Sequence, residues 1–243
     1  MNEHPLISII TITFNASEAL LPTMQSVKEQ TFKDYEHLII DGASTDDTLT
    51  VARQNGSPAL RILSEPDNGL YDAMNKGLEL ARGRYVIFLN AGDAFHTPDI
   101  LAAYAAAAEN DPDIIYSDTV IVDSARNIIG PRHLSAPTLL TRRSFSKGML
   151  ICHQAFMVKK EIAPKYDLQY RFSADYDWTI RCIKNTEPNK CINLKVVGIN
   201  YLSDGMTDKN KFKSLKERYH VMASHYGTVA AIKRHIQLIL GKR

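Results

Sequence analysis

The chain has 243 residues, 44% hydrophobic and 23% charged. That is the composition of a folded domain able to bury a core without staples, and it excludes a disordered or fibrous chain. Twenty-nine Lys and Arg stand against 27 Asp and Glu, and a formal charge of +2 argues against a protein that coats nucleic acid.

The charge is unevenly spread. Asp208 to Arg243 carries +7 and the preceding 207 residues −5, which divides the chain into an acidic body, 1–207, and a basic tail, 208–243. Cys152, Cys182 and Cys191 form no C-x-x-C spacing, so free thiols in a reducing, cytoplasmic compartment are expected. The start Met-Asn-Glu-His-Pro lacks a basic stretch, and the longest apolar run, Ile100 to Ala108, ends at Glu109. A bilayer span takes about 20 residues, so neither a signal peptide nor a transmembrane helix is expected.

In chain order, Leu6 to Thr13 reads as a buried strand followed by a helix through Gln30, with Pro22 early enough to be tolerated. Glu36 to Ile40 is a second strand. Ser44-Thr45-Asp46-Asp47 reads as the cap and acidic first turn of a helix through Arg53. Leu60 to Leu63 is a third strand, Leu70 to Arg82 a helix stopped by Gly83, and Tyr85 to Leu89 a fourth strand. A helix over 98–110 and a strand over 114–122 follow, then a less regular region with a helix from Ala174 to Lys184 and a strand near Lys195 to Ile199. Tyr219, Met222, Tyr226, Val229, Ile232, Ile236 and Ile239 step by three or four residues, which predicts one amphipathic terminal helix. Strands alternating with helices predict an α/β fold with a mostly parallel sheet.

Ligands of such sheets bind outside the carboxyl ends of the strands. Here those ends read Phe14-Asn15, Asp41-Gly42, Glu65-Pro66-Asp67-Asn68-Gly69 and Asn90-Ala91-Gly92-Asp93, a polar rim. The first turn contains no glycine, which removes the dinucleotide and P-loop fingerprints. A bound phosphate would then be neutralised by other means, a Mg²⁺ or Mn²⁺ ion on a strand-end carboxylate being the obvious candidate.

The ordered runs S-I-I-T-I-T-F-N, I-I-D-G-A-S-T-D-D-T, N-G-L-Y-D-A-M-N-K-G, G-R-Y-V-I-F-L-N-A-G-D and A-D-Y-D-W resemble the family 2 nucleotide-sugar glycosyltransferases over roughly residues 6 to 205. The second and third runs are closest to the branch that builds bacterial surface polysaccharides, the colanic-acid-type transferases. The resemblance implies a GT-A fold, a Rossmann-like sheet flanked by helices, here with the C-terminal amphipathic helix. It also implies inverting transfer from a nucleotide-diphosphate sugar, read as a UDP-sugar, to a glycan or polyprenyl-linked acceptor. Phe14 and Asn15 would line the nucleotide pocket and Asp41 would hydrogen-bond the base. Asp67, Asn68, Asp72, Asn75 and Asn90 would border the donor. Asp93 matches the metal-ligating acid, for Mn²⁺ or Mg²⁺, and Asp175 the catalytic base. Gly42 stands where the family often has a second acid, and Asn90 and Gly92 replace the first two acids of a D-x-D-D motif.

Other readings stand beside these. His153 either contacts the acceptor, assists the metal and phosphate end, or is a structural histidine. Asp177 reads as an acidic first turn and Trp178 as core. The tail is either a solvated basic face or a helix lying on anionic lipid, the latter at the inner face of the cytoplasmic membrane. A non-catalytic sugar-nucleotide or glycan-binding relative is the alternative class. A nucleotidyltransferase would need a glycine- and basic-rich loop near the first strand, which the sequence lacks.

Overall fold

A computed structural model describes residues 4–203 and 211–239. β1 (Ile7–Thr13) and β2 (Tyr35–Asp41) are buried along their whole length, as befits central strands of a sheet covered on both faces. Their polar side chains are satisfied inside the fold. Ser8 Oγ and the Arg61 guanidinium donate to Glu36 at 2.6 and 2.5 Å, and His37 Nε2 lies 2.9 Å from Thr11 Oγ1. β3 (Leu60–Ser64) and β4 (Tyr85–Phe88) complete a parallel run in the order β3-β2-β1-β4. α1 (Ser17–Lys28), α2 (Thr48–Asn55) and α3 (Leu70–Leu80) make the crossovers.

The second half changes strand direction. After β5 (Ala94–Phe95) and α4 (Ile100–Ala108) come β6 (Ile114–Val122), β7 (Ile128–Pro131), β8 (Phe156–Lys159), α5 (Ala174–Lys184) and β9 (Cys191–Leu202). The sheet continues from β4 as β8-β6-β9-β5, with β7 paired to β6. β8 runs antiparallel to both β4 and β6, and its last residues, Val158 and Lys159, pair with Val86 and Tyr85 at the start of β4. β9 runs parallel to β6 and antiparallel to β5. The result is the α/β sheet with flanking helices expected from the sequence.

Several details differ from expectation. α2 begins at Thr48 rather than Ser44, because Ser44 is tied to Asp41 and the first turn is organised by Asp46, whose Oδ1 accepts from the amide and hydroxyl of Thr48. β5, β7 and β8 are strands that local pattern did not mark, and β9 is longer than its apolar centre. The single terminal helix is two, α6 (Lys211–Tyr226) and α7 (Thr228–Ile239), broken at Gly227, whose φ of 90° is left-handed.

Nor does the charge boundary at 207/208 separate α6 from the body. Val221, Met222 and Ala231 belong to the main core. The Glu217 carboxylate accepts the backbone N–H groups of Arg171 and Phe172 at 3.0 and 2.7 Å, just ahead of α5. Val229, Ile232 and Ile236, by contrast, are exposed. Lys209, Lys242 and Arg243 of the basic tail lie outside the described residues. Among the described residues, no helix is long and apolar enough to cross a membrane.

Candidate active site

A cavity of about 680 Å³ opens at the carboxyl ends of β1 and β4. On one side lie Phe14 and Asp67. Phe14 is 62% exposed, large for an aromatic that follows a buried strand. Gly42 brings these two together, since a Cβ there would fall 2.6 Å from Asp67 Oδ2 and 3.3 Å from the Phe14 ring. The acid that the family often places at this position is thus replaced by space for Asp67. Asp67 Oδ1 accepts from the Gly69 amide at 2.8 Å, which leaves Oδ2 toward the cradle.

At the end of β4, Asn90 and Asp93 line the cavity. Asp93 is 4% exposed, and both of its oxygens are engaged: Oδ1 by the Leu202 amide at 3.0 Å and Oδ2 by Gln154 Nε2 at 2.7 Å. Burial dominates and pushes its pKa up to about 6, against those two hydrogen bonds and the charges of His153 and Arg126. Asn90 donates to His153 Nε2 at 3.3 Å, while its Oδ1 is a buried acceptor without a partner, as is Thr13 Oγ1 beside it on the wall. Both residues line the cavity, and an unpaired buried polar atom there calls for a partner such as an ion or a ligand group.

Asp175, in the first turn of α5, also lines the cavity. Its Oδ1 accepts from the Tyr71 hydroxyl at 3.2 Å and the Tyr176 amide at 2.9 Å, and Oδ2 faces His153 Nδ1 at 3.4 Å. Burial raises the pKa, but the hydrogen bond and charge of His153, the Tyr176 amide and Arg218 outweigh it and hold the carboxyl below its usual range. Desolvation keeps the Tyr71 phenol protonated, and so a donor. His153, in a short turn before β8, thereby links the Asp175 wall to Asn90.

Other expected residues are placed differently. Asp41 is buried and spent on the scaffold, with Oδ2 accepting from the Ser44 amide and the Ser64 hydroxyl at 2.9 and 2.7 Å. Asn15, at φ 45°, pins the loop before α2 by accepting the Thr45 amide at 2.9 Å. Asp72 accepts the Asn68 amide at 2.9 Å and so closes the start of α3. Asn75 clasps the backbone of Tyr166 through both ends of its amide, at 3.0 and 2.7 Å. None of these five lines the cavity, and we assign them to the frame around it. Asp177 pairs with Arg181 and His225, both at 2.7 Å, and Trp178 is fully buried against Tyr166.

Tyr71, Gln154, Arg132 and Arg218 were not singled out by sequence, yet all four sit at the site. Gln154 had a signal, a polar residue beside His153 in an apolar run; the other three reach the cavity only through tertiary packing.

A divalent cation fits this chemistry sparingly. Asp93 and the unpartnered Asn90 Oδ1 are the hard oxygen donors on the wall that would hold one. Among the described residues, no three His, Cys, Asp or Glu side chains gather into a metal-holding group, so most ligands would come from substrate.

Comparison with known proteins agrees with this architecture. A family model described as glycosyl transferase family 2 matches residues 8–166. A PGL/p-HBAD biosynthesis glycosyltransferase of Mycobacterium bovis is 35% identical over 224 residues, covering 87% of this chain and 84% of the relative. Among solved structures, S. aureus TarS 1–349 in complex with UDP-GlcNAc superposes with a TM-score of 0.70 at 16% identity, covering 95% of this chain and 72% of that one. The mannosyltransferase PcManGT from Pyrobaculum calidifontis, in complex with GDP-Man and Mn²⁺, gives 0.65 at 15%, covering 96% and 74%. At these identities the two structures establish the shared fold.

Proposed function

The chain belongs to glycosyl transferase family 2 and is a glycosyltransferase, and from that premise we propose an inverting transfer of a sugar from a UDP-sugar to a hydroxyl of a growing, lipid-linked surface glycan. The observation that carries this reading is Asp175: an ionised carboxylate held from behind by Tyr71 and Tyr176, on the wall facing Asn90 and Asp93.

In the proposed reaction, the nucleoside lies in the cradle of Phe14, Gly42 and Asp67, and the diphosphate reaches toward Asp93. Asp175 accepts the proton of the attacking hydroxyl as its oxygen bonds to the anomeric carbon and the bond to the diphosphate breaks, releasing the nucleoside diphosphate. General base catalysis of this kind contributes typically about 10²–10⁴-fold. Its depressed pKa keeps Asp175 ionised at neutral pH, and the Tyr71 hydrogen bond fixes the carboxylate before substrate arrives. A divalent cation bound at Asp93 and Asn90 Oδ1 would supply Lewis-acid neutralisation of the diphosphate. GDP-Man and Mn²⁺ in PcManGT and UDP-GlcNAc in TarS support a nucleotide-sugar donor by fold analogy.

Asp175→Asn tests the reading directly. Transfer should fall at least about 100-fold, with UDP affinity close to wild type by calorimetry. Full turnover in this variant would remove Asp175 from the role of base. A non-catalytic sugar-nucleotide-binding relative would show no turnover with any donor in the wild type.

A further inference from the structure

Two arginines, Arg132 and Arg218, share the cavity with Asp175, and the charge of Arg218 helps to hold that carboxylate ionised. Arg132 follows directly on β7 and Arg218 lies on α6. They flank the same piece of wall. An Arg132 Nη donates to the Met149 carbonyl at 3.3 Å, and Arg218 Nη2 lies 3.7 Å from where a Cβ on Gly148 would sit. Arg218 is also backed by the Tyr176 ring, 5.9 Å from its centroid, and Tyr176 is itself anchored by its hydroxyl to the Phe145 carbonyl.

Each guanidinium carries five N–H donors and no acceptor. Among the described residues, no carboxylate forms a salt bridge with either guanidinium, although the charge of Arg218 reaches Asp175, and the Met149 carbonyl is the single hydrogen-bond acceptor that either engages. The wall is therefore rich in fixed positive charge and unengaged donors. Two planar donor forks on the lining of one cavity complement a tetrahedral oxyanion better than the isolated hydroxyls of a neutral sugar. Charge points the same way: Asp93 is a lone metal-side carboxylate with both oxygens engaged, so a phosphate in this cavity needs cationic partners from elsewhere.

We propose that Arg132 and Arg218 form a phosphate-binding subsite on the Gly148–Met149 wall. Its ligand is either the diphosphate of the donor or a phosphate carried by the acceptor, two sources that rest on the transferase reading above. The subsite works without a metal ion, because its charge is covalently part of the chain.

The test is calorimetry in EDTA on the wild type and on Arg132→Gln, Arg218→Gln and Arg218→Lys, with uridine, UDP, and glycerol phosphate added to the UDP complex. Should the donor's diphosphate be the ligand, each Gln variant binds UDP about tenfold or more weakly while uridine affinity is unchanged. Should the acceptor's phosphate be the ligand, UDP affinity is unchanged and glycerol phosphate binding weakens about tenfold or more. Arg218→Lys, which keeps charge but loses the fork, falls between Gln and wild type, and separates a binding loss from a folding loss if Arg218→Gln melts early. Wild-type affinity for both phosphate probes in folded Gln variants overturns the subsite, as does a wild type that binds neither probe. Arginine-dependent phosphate binding by a protein that transfers no sugar would keep the subsite and sink the transferase reading.

Discussion

His37 lies in the middle of β2, fully buried, with Thr11 Oγ1 as its hydrogen-bond partner. Burial pushes its pKa down to about 3, whereas an unfolded histidine titrates near about 6.5. The unfolded chain therefore takes up this proton first as pH falls. The stability that depends on a neutral His37 is complete above about pH 6.5 and is lost toward pH 3, with a limiting slope of about 1.4 kcal/mol per pH unit. His37→Gln keeps a partner for Thr11 and removes the titration. Urea unfolding between pH 7.5 and 4.5 should show the wild type losing stability relative to the variant as the medium acidifies. Parallel pH profiles would assign the acid sensitivity to another group. Asp175 is the contrasting case at this scale: burial works against its charge, but His153, the Tyr176 amide and Arg218 together outweigh it.

At the scale of elements, α3 couples the sheet to the site. Gly77 faces β1 and β2 so closely that a Cβ would fall 2.5 Å from Ile10 Cγ2 and 3.4 Å from Ile40 Cγ1. Alanine is intrinsically better in a helix by about 1 kcal/mol, but overpacking a core costs about 1–3 kcal/mol. Gly77→Ala should therefore lower the melting temperature. It should also lower kcat, because Tyr71, at the other end of α3, holds Asp175. An unchanged melting temperature would mean that the helix is not seated this tightly. The parallel half of the fold was legible because β1 and β2 are rich in Ile and Leu and β4 is an unbroken apolar run, and the rim because polar residues follow them directly. β8 was not legible, since its four residues owe their strand state to β4 and β6 on either side. The Asn75 clasp was not legible for a similar reason: its partner Tyr166 is 91 residues away, and no local pattern carries such a pairing. The terminal stripe hid a break because its three- and four-residue spacing runs across Gly227.

At the scale of the molecule, the C-terminal helices divide their work. α6 supplies Ser214 and Arg218 to the cavity and buries Val221 and Met222. Phe212, Val229, Ile232 and Ile236 remain exposed, near in sequence to the exposed Lys213, Lys216 and Lys233. Apolar and cationic side chains together suit an anionic membrane surface, where a lipid-linked acceptor would be found. The triple variant Phe212→Ser, Val229→Ser, Lys233→Glu should sediment less with anionic liposomes while binding UDP as wild type does. Unchanged sedimentation would make this surface a solvated face only.

The insertion of β9 between β6 and β5 has a consequence for biosynthesis. The strands whose ends lead to Phe14 and Asp67, β1 and β3, have all of their sheet partners once β4 has left the ribosome. The wall around Asp175 must wait for α5, β9 and α6. A nascent chain thus carries the strand ends at Phe14 and Asp67 well before it carries Asp175 and Arg218. Synthesis itself therefore orders the two sides of the cavity, the Phe14 and Asp67 side first and the Asp175 side last.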